Sequence, residues 1–146
     1  MKSTIEETLQ HVQFLNRHLN TCSLECMIVV VLLELGISTK RAGFDYIKKG
    51  ILLMCDDPAA LITKGVYPEI GKSYTPSVSD LQVEQSIRSA ISDAWNQRNP
   101  RVWGYYFHNT AGDKPKKPTN AELISKIARV LELWQCCQKE VYHGAK

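Results

Sequence analysis

Gln82, Gln85, Arg88, Ser89, Ser92 and Asn96 are spaced so that a helix, advancing about 100° per residue, would carry them on one side. Val83, Ile87, Ala90, Ile91, Ala94 and Trp95 fall at i, i+4, i+7, i+8, i+11 and i+12, an apolar stripe on the other side. Amides and guanidinium are the groups that form paired hydrogen bonds with base edges, Gln with adenine and Arg with guanine, and Ser lets a helix approach closely. A merely solvated face in so charged a chain would more often be filled with Glu and Lys, although mixed polar faces are common on amphipathic helices. The chemistry on offer is the reading of a duplex.

A face of this kind must be held by something rigid. Upstream, Tyr67 to Tyr74 reads as a short scaffold helix that Pro68 can open, since its fixed φ suits a first turn. Ile70 and Tyr74 lie four apart for inward packing, with Gly71 between them where a small residue would admit another helix. Thr75-Pro76-Ser77 breaks that helix, and Ser79 with Gln82 forms an S-x-x-Q capping box for the next. Asp80 in the first turn suits the helix dipole. Short helix, turn, long helix is the helix-turn-helix plan, with the reading helix over about 80–97.

The chain has 146 residues, 44% hydrophobic and 23% charged, which fits one soluble domain. Its net charge of +3 is too small to demand a nucleic-acid partner. The distribution is more informative: from Arg98 to Lys117, five cations (Arg98, Arg101, Lys114, Lys116, Lys117) face only Asp113, leaving +4 locally. Lys114, Lys116 and Lys117 sit in the Gly- and Pro-bearing loop Asn109–Pro118, just before a helix start, and are suited to gripping phosphate. With Lys72, Arg98 and Arg101 they form the expected phosphate-contacting set.

Met1 to Asn20 reads as a polar helix with Ile5, Leu9, Val12 and either Leu15 or Leu19 on one side, a packing helix or a dimerisation arm. It lacks the basic start and apolar run of a secretory signal, so a cytoplasmic location is expected. Cys26 to Leu33 is β-branched enough for a strand. Ser23 as N-cap and Gly36 as terminator instead predict a buried helix, the central one, too short to cross a bilayer. Ser38 or Thr39 should cap the next helix, through about Cys55, with a close neighbour at Gly50. Asp56-Asp57-Pro58 suggests a cap ahead of Pro at a first helical position, not a metal or phospho-acceptor site, and Ala59 to Gly65 a further short helix. Beyond the break at Asn99-Pro100, Arg101 to Phe107 is aromatic-rich and is expected to close the core beneath the reading helix, not to stack on bases. Thr119 and Glu122 form a T-x-x-E capping box for the last helix, whose stripe is Leu123, Ile127, Val130, Leu131 and Trp134. The tail from Gln135 is polar.

Catalysis has little support. There is no phosphate-cradling Gly-rich loop, H-E-x-x-H or G-x-S-x-G, and His11, His18, His108 and His143 are scattered. Of the five cysteines, Cys22 and Cys26 are four apart, Cys136 and Cys137 adjacent and Cys55 alone; none has C-x-x-C spacing. No metal, cofactor, catalytic residue or small-molecule substrate is expected.

Four stretches carry a resemblance: GFDYIKKGILLMCDD (Gly43–Asp57), ITKGVYPEIGKSY (Ile62–Tyr74), VEQSIRSAISDAW (Val83–Trp95) and KPTNAELISKIA (Lys117–Ala128). In that order they resemble the C-terminal effector domain of the sporulation response regulator of endospore-forming bacteria, stage zero sporulation protein A. The similarity covers roughly residues 22–134. It implies a compact all-α domain of about six to seven helices, residues 22–134, between an N-terminal helical extension (1–21) and a C-terminal tail (135–146). It also implies a transcription regulator binding double-stranded DNA sequence-specifically. In that family a receiver domain precedes the effector, and about twenty residues cannot make one, so a stand-alone effector is expected. The base-reading set is then Gln82, Glu84, Gln85, Arg88, Ser89 and Ser92. Arg88 matches a base-reading Arg of the family, and Glu84 an acidic residue at the base contacts. Gln85 stands where the family usually has a second Arg, and Ser89 where it has a larger residue, so the family's TGTCGAA-like box cannot be assumed. The resemblance further implies a homodimer through the last helix, and the N-terminal helix is a second candidate. A different class remains open beside it: an interaction module that modulates a full-length regulator without reading DNA.

Overall fold

The structure, a computed structural model, describes residues 5–8, 10–11, 23–107 and 114–144, with side chains as far as Cys137. Among these residues every regular element is helical and no strand occurs. In chain order they are α1 (Leu24–Glu34), α2 (Ala42–Asp56), a π-helical turn (Ile62–Val66), α3 (Tyr67–Lys72), α4 (Asp80–Asn96), α5 (Pro100–Tyr106) and α6 (Asn120–Gly144).

Local signals set several boundaries. Ser23 Oγ accepts the Cys26 N–H at 3.2 Å, and Gly36 ends α1 with φ +80°, a conformation free of Cβ conflict. At α6 both halves of the capping box form: Thr119 N–H donates to Glu122 Oε1 at 3.2 Å, and Glu122 N–H to Thr119 Oγ1 at 3.1 Å. The helix then continues past Trp134 to Gly144, so the polar stretch from Gln135 extends α6.

Elsewhere local expectation gives way. Neither Ser38 nor Thr39 caps α2; its N-cap is Arg41, and Ser38 Oγ accepts the Lys40 N–H at 3.3 Å within the preceding turn. Asp57 Oδ1 accepts the Ala59 N–H at 3.1 Å, placing Pro58 in a turn instead of at a first helical position. The short helix expected from Ala59 begins only at Ile62. It is a single wide turn in which Val66 N–H reaches Leu61 O at 2.9 Å before α3 takes over.

The centre of the core is also different. α1 is buried along Met27, Ile28, Val31 and Leu32, but Leu33 is 52% exposed. It is α2 that packs against α1, α3, α4 and α6. Close approach explains this: a Cβ on Gly43 would stand 2.4 Å from Ser86 O of α4, and one on Gly50 would stand 3.2 Å from Ile124 Cδ1 of α6. The aromatic stretch closes the core as expected. Trp103 and Tyr106 are buried, Trp103 lies edge-on to Trp95 at 5.4 Å, and its indole N–H donates to Leu35 O at 3.2 Å.

Residues 5–8 and 10–11 are helical, but Ile5 is 73% exposed and does not pack as expected. Contact comes from polar groups instead. The Thr8 hydroxyl donates to Tyr105 O, and the His11 ring stacks on Tyr105 at 4.3 Å with Nε2 2.8 Å from Glu34 Oε1. Tyr106 donates its hydroxyl to the same carboxylate oxygen at 2.7 Å. Leu9, Val12, Leu15 and Leu19 lie outside the described residues.

Candidate nucleic-acid interface

The α3–turn–α4 unit is anchored from below. Ile70 and Tyr67 of α3 and Val83, Ile87, Ala90, Ile91 and Ala94 of α4 are buried. Burial of each large aliphatic is worth about 1.5–3 kcal/mol, which fixes the rotation of α4 about its axis. Tyr74, just beyond α3, bonds Asp45 of α2 through its hydroxyl and meets Tyr46 edge-on at 5.3 Å, with the Lys49 ammonium 3.7 Å from its ring centroid. Gly71 does not admit another helix; the turn itself closes on it. Val78 N–H donates to Gly71 O at 3.0 Å, and a Cβ on Gly71 would stand 2.1 Å from Val78 O. Ser79 Oγ then accepts the Gln82 N–H at 3.2 Å and starts α4.

With that underside fixed, the other side of α4 faces outward. Gln82, Gln85, Arg88, Ser89 and Asn96 are exposed, and Ser92 is half-buried. The Arg88 side chain is 65% exposed and pairs with Glu84, one turn earlier, whose side chain is 23% exposed. Leu81, 65% exposed, stands at the start of the same helix. Six expected base-reading residues therefore share one helix, with Glu84 at its edge.

The expected phosphate set is more dispersed. Lys117 donates from Nζ to Ser92 Oγ at 2.8 Å, which brings the basic loop against α4. Lys114, Lys116 and Arg101 are exposed, and Lys72 is 3.9 Å from Glu69. Arg98 is engaged at the end of α4: Nη1 donates to Trp95 O at 3.0 Å, and the guanidinium lies 3.7 Å from the Trp95 ring centroid. Asn109 to Asp113 of the loop lie outside the described residues.

Two clefts meet at Lys117. One, of about 620 Å³, runs between the starts of α4 and α6 and is lined by Tyr67, Leu81, Glu84, Arg88, Lys117 and Asn120 among others. The second, of about 500 Å³, lies beyond the loop; there Lys126 and Arg129 of α6 join Lys116 and Lys117 beside Phe107. Sequence reasoning missed Lys126 and Arg129, because cations three apart on a helix look like ordinary solvated residues until a loop is folded against them. It also missed Asn120, which donates from Nδ2 to Glu84 O at 3.0 Å and to the Tyr67 hydroxyl oxygen at 3.2 Å. A polar residue at a helix start carries no signal of such a partner.

Among the described residues no group of three or more His, Cys, Asp or Glu side chains is arranged to hold a metal ion. Cys26 and Cys136 are exposed free thiols, and Cys55 is half-buried. Burial, then the Glu132 carboxylate, push the Cys55 thiol above its ordinary pKa, against an opposing effect of Arg129. Since the thiolate is the nucleophile, iodoacetamide at pH 8 should modify Cys26 and Cys136 first and Cys55 roughly tenfold more slowly. Mass spectrometry of timed digests checks the order; Cys55 reacting among the first would contradict this burial.

A family model described as "Sporulation initiation factor Spo0A C terminal" matches residues 28–131. The chain belongs to that family. The Spo0A C-terminal match enters in α1 and ends in α6, so it takes in the whole α3–turn–α4 unit and lies within the stretch expected from the sequence. It is a family of DNA-binding effector domains and not of enzymes, which makes this chain a DNA-binding domain of transcription regulation. No helix among the described residues is long and apolar enough to cross a membrane.

Proposed function

We propose that the chain reads a specific duplex sequence by laying α4 in the major groove. Gln82, Glu84, Gln85, Arg88, Ser89 and Ser92 meet base edges. Lys72, Arg98, Arg101, Lys114, Lys116 and Lys117 serve the flanking phosphates. The observation that carries this is the two-sided character of α4 after a closed turn: an aliphatic underside in the core, and outside it amides, small hydroxyls and one guanidinium. Arg88 calls for a guanine, Gln85 and Gln82 for adenines, and Glu84 for a cytosine.

Selection of bound sequences from random duplex DNA is the deciding experiment. Recovery of a motif containing a G·C pair supports the reading. Recovery of none at low salt overturns it and favours an interaction module. Phosphate contacts are tested separately by salt dependence. Lys116→Ala and Lys117→Ala should each weaken binding to all sequences and reduce the log–log salt slope by about one. Unchanged slopes would remove those lysines from the interface.

A further inference from the structure

We propose that Asn120 is a positioning residue for base reading, its carboxamide tying the Glu84–Arg88 turn of α4 to the start of α6 and thereby setting where the Arg88 guanidinium is presented. This rests on α4 being the base-reading helix. Asn120 Nδ2 donates to Glu84 O at 3.0 Å and to the Tyr67 hydroxyl oxygen at 3.2 Å. A backbone carbonyl only accepts, so the NH2 group, and not the amide oxygen, must face Glu84. In an α-helix the same Glu84 carbonyl takes the N–H of Arg88. Asn120 is therefore a second donor to the oxygen that closes the turn bearing both Glu84 and Arg88. A mid-helix carbonyl ordinarily finds its second donor in water; here it comes from the start of another helix.

The surroundings make that donor rigid. Thr119 and Glu122 hold each other's backbone N–H groups on either side of Asn120. Next along α4, Lys117 reaches Ser92, four residues beyond Arg88. The base-facing helix is thus gripped at Glu84 and at Ser92 by two residues three positions apart, Asn120 and Lys117. Tyr67, the other partner, is buried in α3. Burial raises its phenol pKa, and the Asn120 bond works against that rise, as expected where the phenol oxygen accepts. A base-reading side chain must be held to within about half an ångström by such supporting bonds to discriminate well.

Three variants of the 146-residue chain test the proposal. Asn120→Ala removes both bonds. Asn120→Asp places only acceptors opposite Glu84 O, so that link is lost while the Tyr67 hydroxyl can donate to the new carboxylate. Tyr67→Phe removes the phenol link alone. Both Asn120 variants should lose about tenfold in affinity for the selected duplex while keeping affinity and salt slope on random duplex, and Tyr67→Phe should change the specific-to-random ratio by less than about twofold. Without DNA, amide hydrogen exchange at Arg88 should quicken in both Asn120 variants, with α1 and α2 unchanged. An unchanged ratio in both, or equal losses on the two duplexes as from a merely weakened fold, overturns the proposal. A wild-type chain selecting no duplex would sink base reading itself and this proposal with it. Unchanged ratios in variants of a selective wild type sink the proposal alone.

Discussion

Arg88→Ala should cost about 1–3 kcal/mol on the duplex that the wild type selects, roughly fivefold to 150-fold, and nothing measurable on random duplex. The fold should not notice, because Arg88 is exposed and Ala is the better helix former. Its pairing with Glu84 is a surface interaction, worth less than about 1 kcal/mol. What disappears is the one side chain on this face able to make a two-pronged bond to guanine. Arg88→Lys sharpens the test. Lysine keeps the charge and loses the fork, so it should bind random duplex as before and lose most of the discrimination. The selected sequence should also relax at a single G·C position. Equal losses on selected and random duplex would instead make Arg88 a phosphate contact, and the search for a base-reading group would move to Gln85.

That prediction could be framed from the sequence because the features behind it are local. The two faces of α4 follow from periodicity, its start from Ser79, and the ends of α1 and α6 from Gly36 and the Thr119–Glu122 pair; each involves residues within one turn of each other. Where the expectation failed, the deciding partner lay far along the chain or competed at shorter range. Ser38 is one turn too early to cap α2 and bonds the next peptide but one instead. Gly71 was legible as a place of close approach, but not that Val78 of its own turn would fill it. The most apolar helix, α1, looked central by composition, whereas centrality belongs to α2, whose two glycines admit α4 and α6. Asn120, thirty-six positions from Glu84, was invisible for the same reason. Its role exists only once α6 has been laid across the start of α4.

Gly43→Ala should destabilise the fold by about 1–3 kcal/mol, even though Ala is favoured over Gly in a helix by about 1 kcal/mol. The added Cβ would lie 2.4 Å from Ser86 O and 2.7 Å from Ala90 Cβ, and neither neighbour can swing aside, one being backbone and the other a bare methyl on a buried face. Relief requires α2 and α4 to separate by roughly an ångström, which loosens contacts along the whole crossing. Ser86 and Ala90 of α4 meet Gly43 in that crossing, and the buried Ile87 and Ile91 of the same helix hold its base-facing side outward. Specific affinity should therefore fall more than affinity for random duplex, which tolerates a tilted helix. Gly65→Ala supplies the contrast. No heavy atom lies within 4 Å of a Cβ there, so that variant should gain about 0.4–1 kcal/mol by restricting the unfolded chain. Urea unfolding of the two proteins side by side gives the sign of each. If Gly43→Ala proves as stabilising as Gly65→Ala, the crossing has slack, and the orientation of α4 must be set elsewhere, by the turn at Gly71 and the bonds from Lys117 and Asn120.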